Sequence, residues 1–238
     1  MDKYFLWERF FTNLPKLAAK LPLTFQMVIL SSLFGTVLAL VIAGVRLRKI
    51  PVVNEILRVF ISFERGTPML VQLLIVYFAF PMLLEWLFDI DTREWDRVTF
   101  VIITFVLNEG AFLSETFRAS ILAIPRIQRE AALSCGLTGA QAFFRIVLPQ
   151  AVRIAIPNWG MNFIGLFAQT SLVFMIGVID ILGLATAIGT STGHALESYL
   201  IVAIFFVIIN LLLRWALATL ETRLDYARAK KEAKGARA

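Results

Sequence analysis

Five long apolar stretches, each nearly free of charge, alternate with shorter polar segments along the chain. They cover residues 21–45, 66–84, 98–118, 154–179 and 198–220. About 20 helical residues cross a hydrocarbon layer roughly 30 Å thick, so each stretch is long enough to span one. Backbone polar groups in lipid find no water and must be satisfied inside a helix or a closed barrel. A barrel would show alternation in segments of about 10 residues, and these stretches show none. The pattern predicts an all-α integral membrane protein with five transmembrane helices. Polar interruptions are few: Pro68, Gln72 and Pro81 in the second stretch, Glu109 and Glu115 in the third, Pro157 and Asn158 at the start of the fourth, and Arg214 near the end of the fifth.

Composition agrees with a bilayer as solvent. The 238 residues are 59% hydrophobic and 17% charged, with a mean hydropathy of +0.78, whereas soluble domains carry about 25% charged residues. One cysteine, Cys135, excludes an internal disulfide and is expected to be a small buried residue. The single His194 has no Cys or His partner at metal-ligand spacing. Residues 1–10 lack the basic start and continuous apolar run of a cleavable leader, so the first span is expected to direct insertion.

The net charge of +6 is unevenly placed, and its placement predicts the topology. Arg46, Arg48, Lys49, Arg58 and Arg65 lie in the first loop; Arg118, Arg126, Arg129, Arg145 and Arg153 lie around the third; Arg223, Arg228, Lys230, Lys231, Lys234 and Arg237 lie in the tail. The second loop is acidic and the fourth has no Lys or Arg. The first and third loops and the C-terminus are therefore expected in the cytoplasm and the N-terminus outside. Lys3, Arg9, Lys16 and Lys20 run against this assignment. They sit among Tyr4, Phe5, Trp7, Phe10 and Phe11, which predicts an amphipathic helix over residues 1–20 lying on the outer interface. The Ala/Lys-rich tail, 227–238, is expected to fray.

The third loop, 119–150, has structure of its own. Ile127, Ala131, Ser134 and Cys135 recur at helical spacing over 127–137, with Gly136 placed to close the helix in a left-handed conformation. Thr138 can cap a second short helix over 139–147, which Pro149 is expected to end. Two short helices bearing Ala131, Ala132 and Gly136 would make a knob able to approach a partner surface closely.

On these residues the chain resembles the permeases of bacterial ABC importers. Glu130-Ala131-Ala132, Gly136, Ile146, Leu148 and Pro149 match their EAA loop, whose helices dock on the ATPase subunit. Phe63 to Gln72, Gly110 to Arg118, Leu148 to Pro157 and Thr170 to Val178 are similar to segments of the polar amino acid subgroup, the histidine/glutamine/cystine type with five spans. The resemblance implies a type I importer permease fold filling residues 1–238 as a single membrane domain in the bacterial inner membrane. It also implies three kinds of partner: an ABC ATPase dimer, a second permease copy or paralogue, and an extracytoplasmic amino-acid-binding protein.

No phosphate-binding Gly-rich loop with its Lys-Ser/Thr end occurs in the chain. No cofactor is expected here, and ATP and Mg are expected on the separate ATPase. No nucleophile–base pair or metal cluster is expected at membrane depth, which argues against an enzyme. The remaining alternative is an autonomous secondary transporter or channel for small polar solutes.

Ionisable groups within a span usually face a bundle interior or a wet cavity. Glu109 is the sharpest case, in a place where similar permeases often carry a small residue. It could bind a substrate amino group or serve as polar glue between helices. Glu115 can pair with Arg118 one turn later. Arg65 could grip a carboxylate through two N–H groups. Asn162 and Gln169 lie two turns apart on one helix face, with Thr170 beside them. The resemblance puts carboxylates at the two amide positions in relatives that import basic amino acids. Neutral amides here disfavour a cationic side chain, and a neutral or dipolar substrate such as cystine or glutamine is expected. Thr67 and Ser114 complete the expected substrate-binding set; Glu130, Ala131, Ala132, Gly136, Leu148 and Pro149 form the expected coupling set.

Overall fold

A computed structural model of the chain describes residues 5–235, with side chains as far as 223. Lys3 and Tyr4 of the expected interfacial helix, and residues 236–238 of the tail, lie outside the described residues. Five segments are long and apolar enough to span a bilayer: Trp7–Leu47, Met69–Phe88, Arg97–Leu122, Gly139–Ile176 and Leu196–Arg223. Among the described residues every regular element is helical.

The amphipathic helix α1 (Trp7–Ala18) precedes the first span, α2 (Leu21–Leu47). One face of α1 is stapled to the start of the last span, α10 (Leu196–Gly235). The Leu6 N–H donates to Glu197 Oε1 at 2.9 Å and Asn13 Nδ2 donates to Ser198 Oγ at 3.2 Å. Leu17 is fully buried with Ile181, Ala185 and Ile201. Trp7 and Phe11 on the opposite face are about two-thirds exposed, at 66% and 65%.

Between the first two spans lies α3 (Pro51–Gly66), where a loop was expected. Pro51 presets its first turn, but its apolar face is too short and too interrupted by Glu55, Arg58, Glu64 and Arg65 to read as a span. Pro68 holds extended backbone and α4 (Met69–Phe88) begins after it. Asp96 caps α5 (Arg97–Leu122) by accepting from the Val98 N–H at 3.1 Å.

The third loop forms α6 (Arg126–Ser134), which ends with Gly136 at φ +84°, and α7 (Gly139–Ala142), opened by a reciprocal Thr138–Gln141 capping box. Pro149 does not end this region. A π-helical turn over Phe143–Val147 runs straight into α8 (Leu148–Gln169), and Pro149 sits in the first turn of α8, where a missing N–H and fixed φ are tolerated.

The fourth span is not α-helical throughout. After Gln169 the chain tightens into a 3₁₀ helix, Thr170–Ile176, closed by Gly177 at φ +81°. The hydroxyls of Thr170 and Ser171 donate back to Phe167 and Ala168 carbonyls, both at 2.8 Å, in competition with the helical ladder. A short helix α9 (Ile181–Thr192) follows, which its length and small residues hid in the sequence. The tail stays helical to Gly235 instead of fraying from 227.

The principal packing is α2 against α5. Small residues line the seam: Ser31, Ser32, Gly35 and Ala39 on α2 and Gly110, Ala111 and Ser114 on α5 are all buried. Lipid supplies no hydrophobic drive between helices, so close backbone approach through small residues holds them together. A Cβ at Gly35 would lie 2.5 Å from Glu109 Cβ, and one at Gly110 would lie 2.6 Å from Leu38 Cδ2. Phe100 and Phe105 are core residues, and Phe167 packs at a tilt between Phe25 and Phe206, with ring centroids 5.3 and 5.2 Å away.

Replacing Gly35 with Val should overpack this seam and destabilise the fold by about 1–3 kcal/mol, read as a lowered unfolding temperature in detergent. Gly44→Val, at a position open on every side, should leave that temperature nearly unchanged.

Candidate functional site

Below the α2–α5 seam, α4, α5 and α8 enclose a cavity of about 150 Å³ lined by Asn108, Glu109, Phe112, Asn162, Gly165 and Gln169, with Met69, Met161 and Leu166. Three of the expected substrate-binding residues, Glu109, Asn162 and Gln169, therefore meet at one place. Glu109 is 4% exposed, and its Oε2 has no hydrogen-bond partner. Gly35 makes room for its stem. Asn162 donates to the Asn158 carbonyl at 2.9 Å, leaving its amide oxygen for other partners.

Arg65, at the end of α3, is exposed and stacks over Phe112 with its guanidinium carbon 5.4 Å from the ring centroid. Phe112 lines the cavity, so Arg65 stands at its rim. Thr67 is one step further back. Its hydroxyl donates to the Phe63 carbonyl at 2.8 Å and accepts from Gln72 Nε2 at 2.9 Å. Ser114 and Thr170 do not line the cavity; both are buried with hydroxyls donated to backbone carbonyls.

Sequence reasoning missed the network behind the cavity. Gln72 Nε2 donates to the Glu64 carbonyl at 2.7 Å, and Asn108 Nδ2 donates to Gln72 Oε1 at 2.8 Å. Gln72 was visible as a polar break in an apolar run; its partner Asn108 was overshadowed by Glu109. The Glu64 side chain is buried and its Oε2 is unpartnered. Burial pushes its carboxyl up to about 7, against the lowering effect of Asn108.

The other end of α5 carries an ion cluster. Arg118 donates to Glu115 Oε2 through Nε at 3.0 Å and Nη2 at 2.7 Å, the expected pair, and Arg46 from α2 joins on Oε1. Two turns beyond lies α6. Glu130, Ala131 and Gly136 are exposed, Ala132 packs inward, and Ile127 is 68% exposed. Leu148 is half-buried and Pro149 exposed. Cys135 is exposed, not buried as expected, because α6 is too short to enclose its C-cap.

Residues 17–226 match the family model described as binding-protein-dependent transport system inner membrane component. The chain belongs to this family. It is thus a multi-pass permease component of an inner membrane, and the family sets it within a multi-subunit importer in preference to the autonomous transporter. It is 41% identical to an L-cystine transport system permease protein of Bacillus subtilis, TcyL, over 94% of this chain and 93% of the relative. It is 32% identical to the glutamine transport system permease protein GlnP of Escherichia coli, over 92% and 98%. A crystal structure of an amino acid ABC transporter with histidines superimposes with a TM-score of 0.81 at 27% identity, covering 92% of this chain and 99% of that one. The inward-facing MetNI methionine transporter, 17% identical with a TM-score of 0.67, shares the fold.

The Glu64 carboxyl gives the permease a pH signature. At the ordinary value of 4.5 the unfolded chain loses its proton, while the folded chain keeps it until about 7. Stability contributed here is complete below that window and falls as pH rises through it, because the unfolded state then binds fewer protons. Unfolding temperature in detergent should decline between about pH 5 and about pH 8, and Glu64→Gln should flatten most of that decline.

Proposed function

We propose that this permease forms the membrane pathway of an ATP-driven importer for a neutral, dipolar amino acid of the cystine or glutamine kind. The carrying observation is the convergence of Glu109, Asn162 and Gln169 on one cavity with Arg65 at its rim. The Glu109 carboxylate suits one substrate ammonium, and the Arg65 guanidinium suits one carboxylate. The amides of Asn162 and Gln169 can satisfy a polar, uncharged side chain. A cationic amino acid would bring a second positive charge with no second carboxylate in the lining, and a buried unpaired charge is costly. Neutral amides alone had disfavoured such a substrate; with Glu109 between them the reason becomes the count of charges. The names of the cystine and glutamine relatives support the same class. Thr67 supports the rim through Gln72, while Ser114 and Thr170 shape the walls from behind.

Coupling to ATP runs through the exposed surface of α6. Glu130, Ala131 and Gly136, with Leu148 and Pro149 at the head of α8, dock on an ABC ATPase dimer that holds ATP and Mg, while the buried Ala132 seats α6 from behind. A second permease, identical or paralogous, completes the pathway. A binding protein delivers substrate on the outer side, where the N-terminus lies, and the C-terminus is cytoplasmic. Closure of the ATPases moves α6, and the bundle alternates its access.

Two outcomes test this reading. Gly136→Asp places a charged side chain at a left-handed position on the docking surface and should abolish co-purification of the ATPase in mild detergent. Full assembly and uptake in that variant would refute the docking role. Glu109→Gln should lower uptake of radiolabelled cystine and glutamine into energised proteoliposomes on the order of tenfold, the worth of one charge-assisted hydrogen bond, with the complex intact. Unchanged uptake would remove Glu109 from the pathway.

A further inference from the structure

A second, larger cavity lies away from the substrate site, towards the basic ends of α2, α5 and α8. Its volume is about 240 Å³. Leu40 of α2, Phe117 and Ile121 of α5, and Leu148, Val152 and Ala155 of α8 form its walls, and Trp159 closes its far end. Trp159 Nε1 is already satisfied by Thr36 Oγ1 at 3.0 Å, so nothing in the cleft asks for a polar ligand. Leu40 and Val152 are 56% and 44% exposed and leave it open at the surface of the chain. Leu40 continues the exposed apolar stripe of Leu33 and Val37 along α2.

Shape and charge name the occupant. From Leu148 to Trp159 the cleft follows α8 for about 16 Å, parallel to a spanning helix. A transmembrane helix of a second copy is about 10 Å across and too broad to enter, whereas an extended hydrocarbon chain is narrow enough and runs in this direction. Basic residues flank the lining segments in the chain. Arg145 lies one turn before Leu148, Arg153 one turn before Ile156 of the wall, and Arg48 ends α2. Among the described residues none of these three has an ion-pair partner. The neighbouring Arg46 and Arg118 are occupied by Glu115.

We infer that this cleft holds one acyl chain of an anionic phospholipid, its headgroup phosphate held by Arg48, Arg145 and Arg153. Basic groups at a helix end attract anionic lipid from the adjoining leaflet, and an aliphatic cleft takes the chain that such a lipid carries. The site lies beside the head of α8 and thus links lipid composition to the segment that joins the coupling loop to the substrate cavity.

The test uses the intact permease–ATPase complex in proteoliposomes containing phosphatidylglycerol or phosphatidylcholine with a photoactivatable diazirine in the acyl chain. After irradiation, mass spectrometry maps labelled residues. Phosphatidylglycerol should label the segments containing Phe117–Ile121 and Leu148–Ile156 at least about fivefold over phosphatidylcholine, the preference of a single well-used cation. Val152→Trp, at an exposed position that tolerates bulk, should abolish that labelling, and Arg145→Gln with Arg153→Gln should erase the preference while the complex still co-purifies. Equal labelling by the two lipids overturns the headgroup assignment. Labelling unmoved by Val152→Trp, or cross-linking of a second permease through these residues, overturns the site itself.

Discussion

A helix in lipid has its backbone satisfied and its apolar side chains at ease wherever they point, so contact between two helices must be earned by closeness. In this permease the closeness is that of α2 and α5. Gly35 lets α2 approach until the stem of Glu109 lies against its backbone, and Gly110 returns the arrangement by receiving Leu38. The same approach that joins the two helices also carries a carboxylate into the interior. With its stem in the seam and one oxygen buried and unpartnered, Glu109 also forms part of the wall of a cavity. Packing and site are one feature of the sequence, and a side chain larger than hydrogen at residue 35 would disturb both.

Around this seam, polar side chains hold the remaining helices by bonds that lipid cannot replace. Gln72 gathers the end of α3, the extended turn at Thr67 and Asn108 of α5 into one network. At the opposite end Arg46, Glu115 and Arg118 tie α2 to α5 just before α6. Helix α5 is therefore clamped near the cavity and again near α6. On the proposed function, a displacement of α6 would reach the cavity through a rod held at both ends, in place of a flexible loop. The π turn that joins α7 to α8 gives the second such path without a break in the helix.

On the proposed function, the cavity's charge balance would let a pathway be selective with so few residues. One carboxylate inside and one guanidinium at the rim would match the two charges that every amino acid carries, and the amides would judge what remains. Electroneutrality at low dielectric, more than detailed shape, would then separate dipolar from cationic substrates.

The sequence by itself determined the solvent, the number of spans and the family. Hydrocarbon thickness translates directly into run length, and the glycine and capping signals around α6 and α7 act over a few residues. Gly136 in its left-handed conformation and the Thr138 cap were legible for that reason. What it left open were decisions between elements. Pro149 could end one helix or begin the next, and only continuity through a π turn settled it. The helices α3 and α9 were too short to register as spans and too dependent on their neighbours to register alone. Glu109, Asn162 and Gln169 stand far apart in the chain, and nothing local states that they share a cavity while Ser114 and Thr170 turn away. Asn108, Gln72 and Glu64 became a network, and Arg46 joined Glu115, only because helix packing brought separate runs within hydrogen-bond reach. Burial and partnership are properties of the whole bundle, and the tertiary structure alone could assign them.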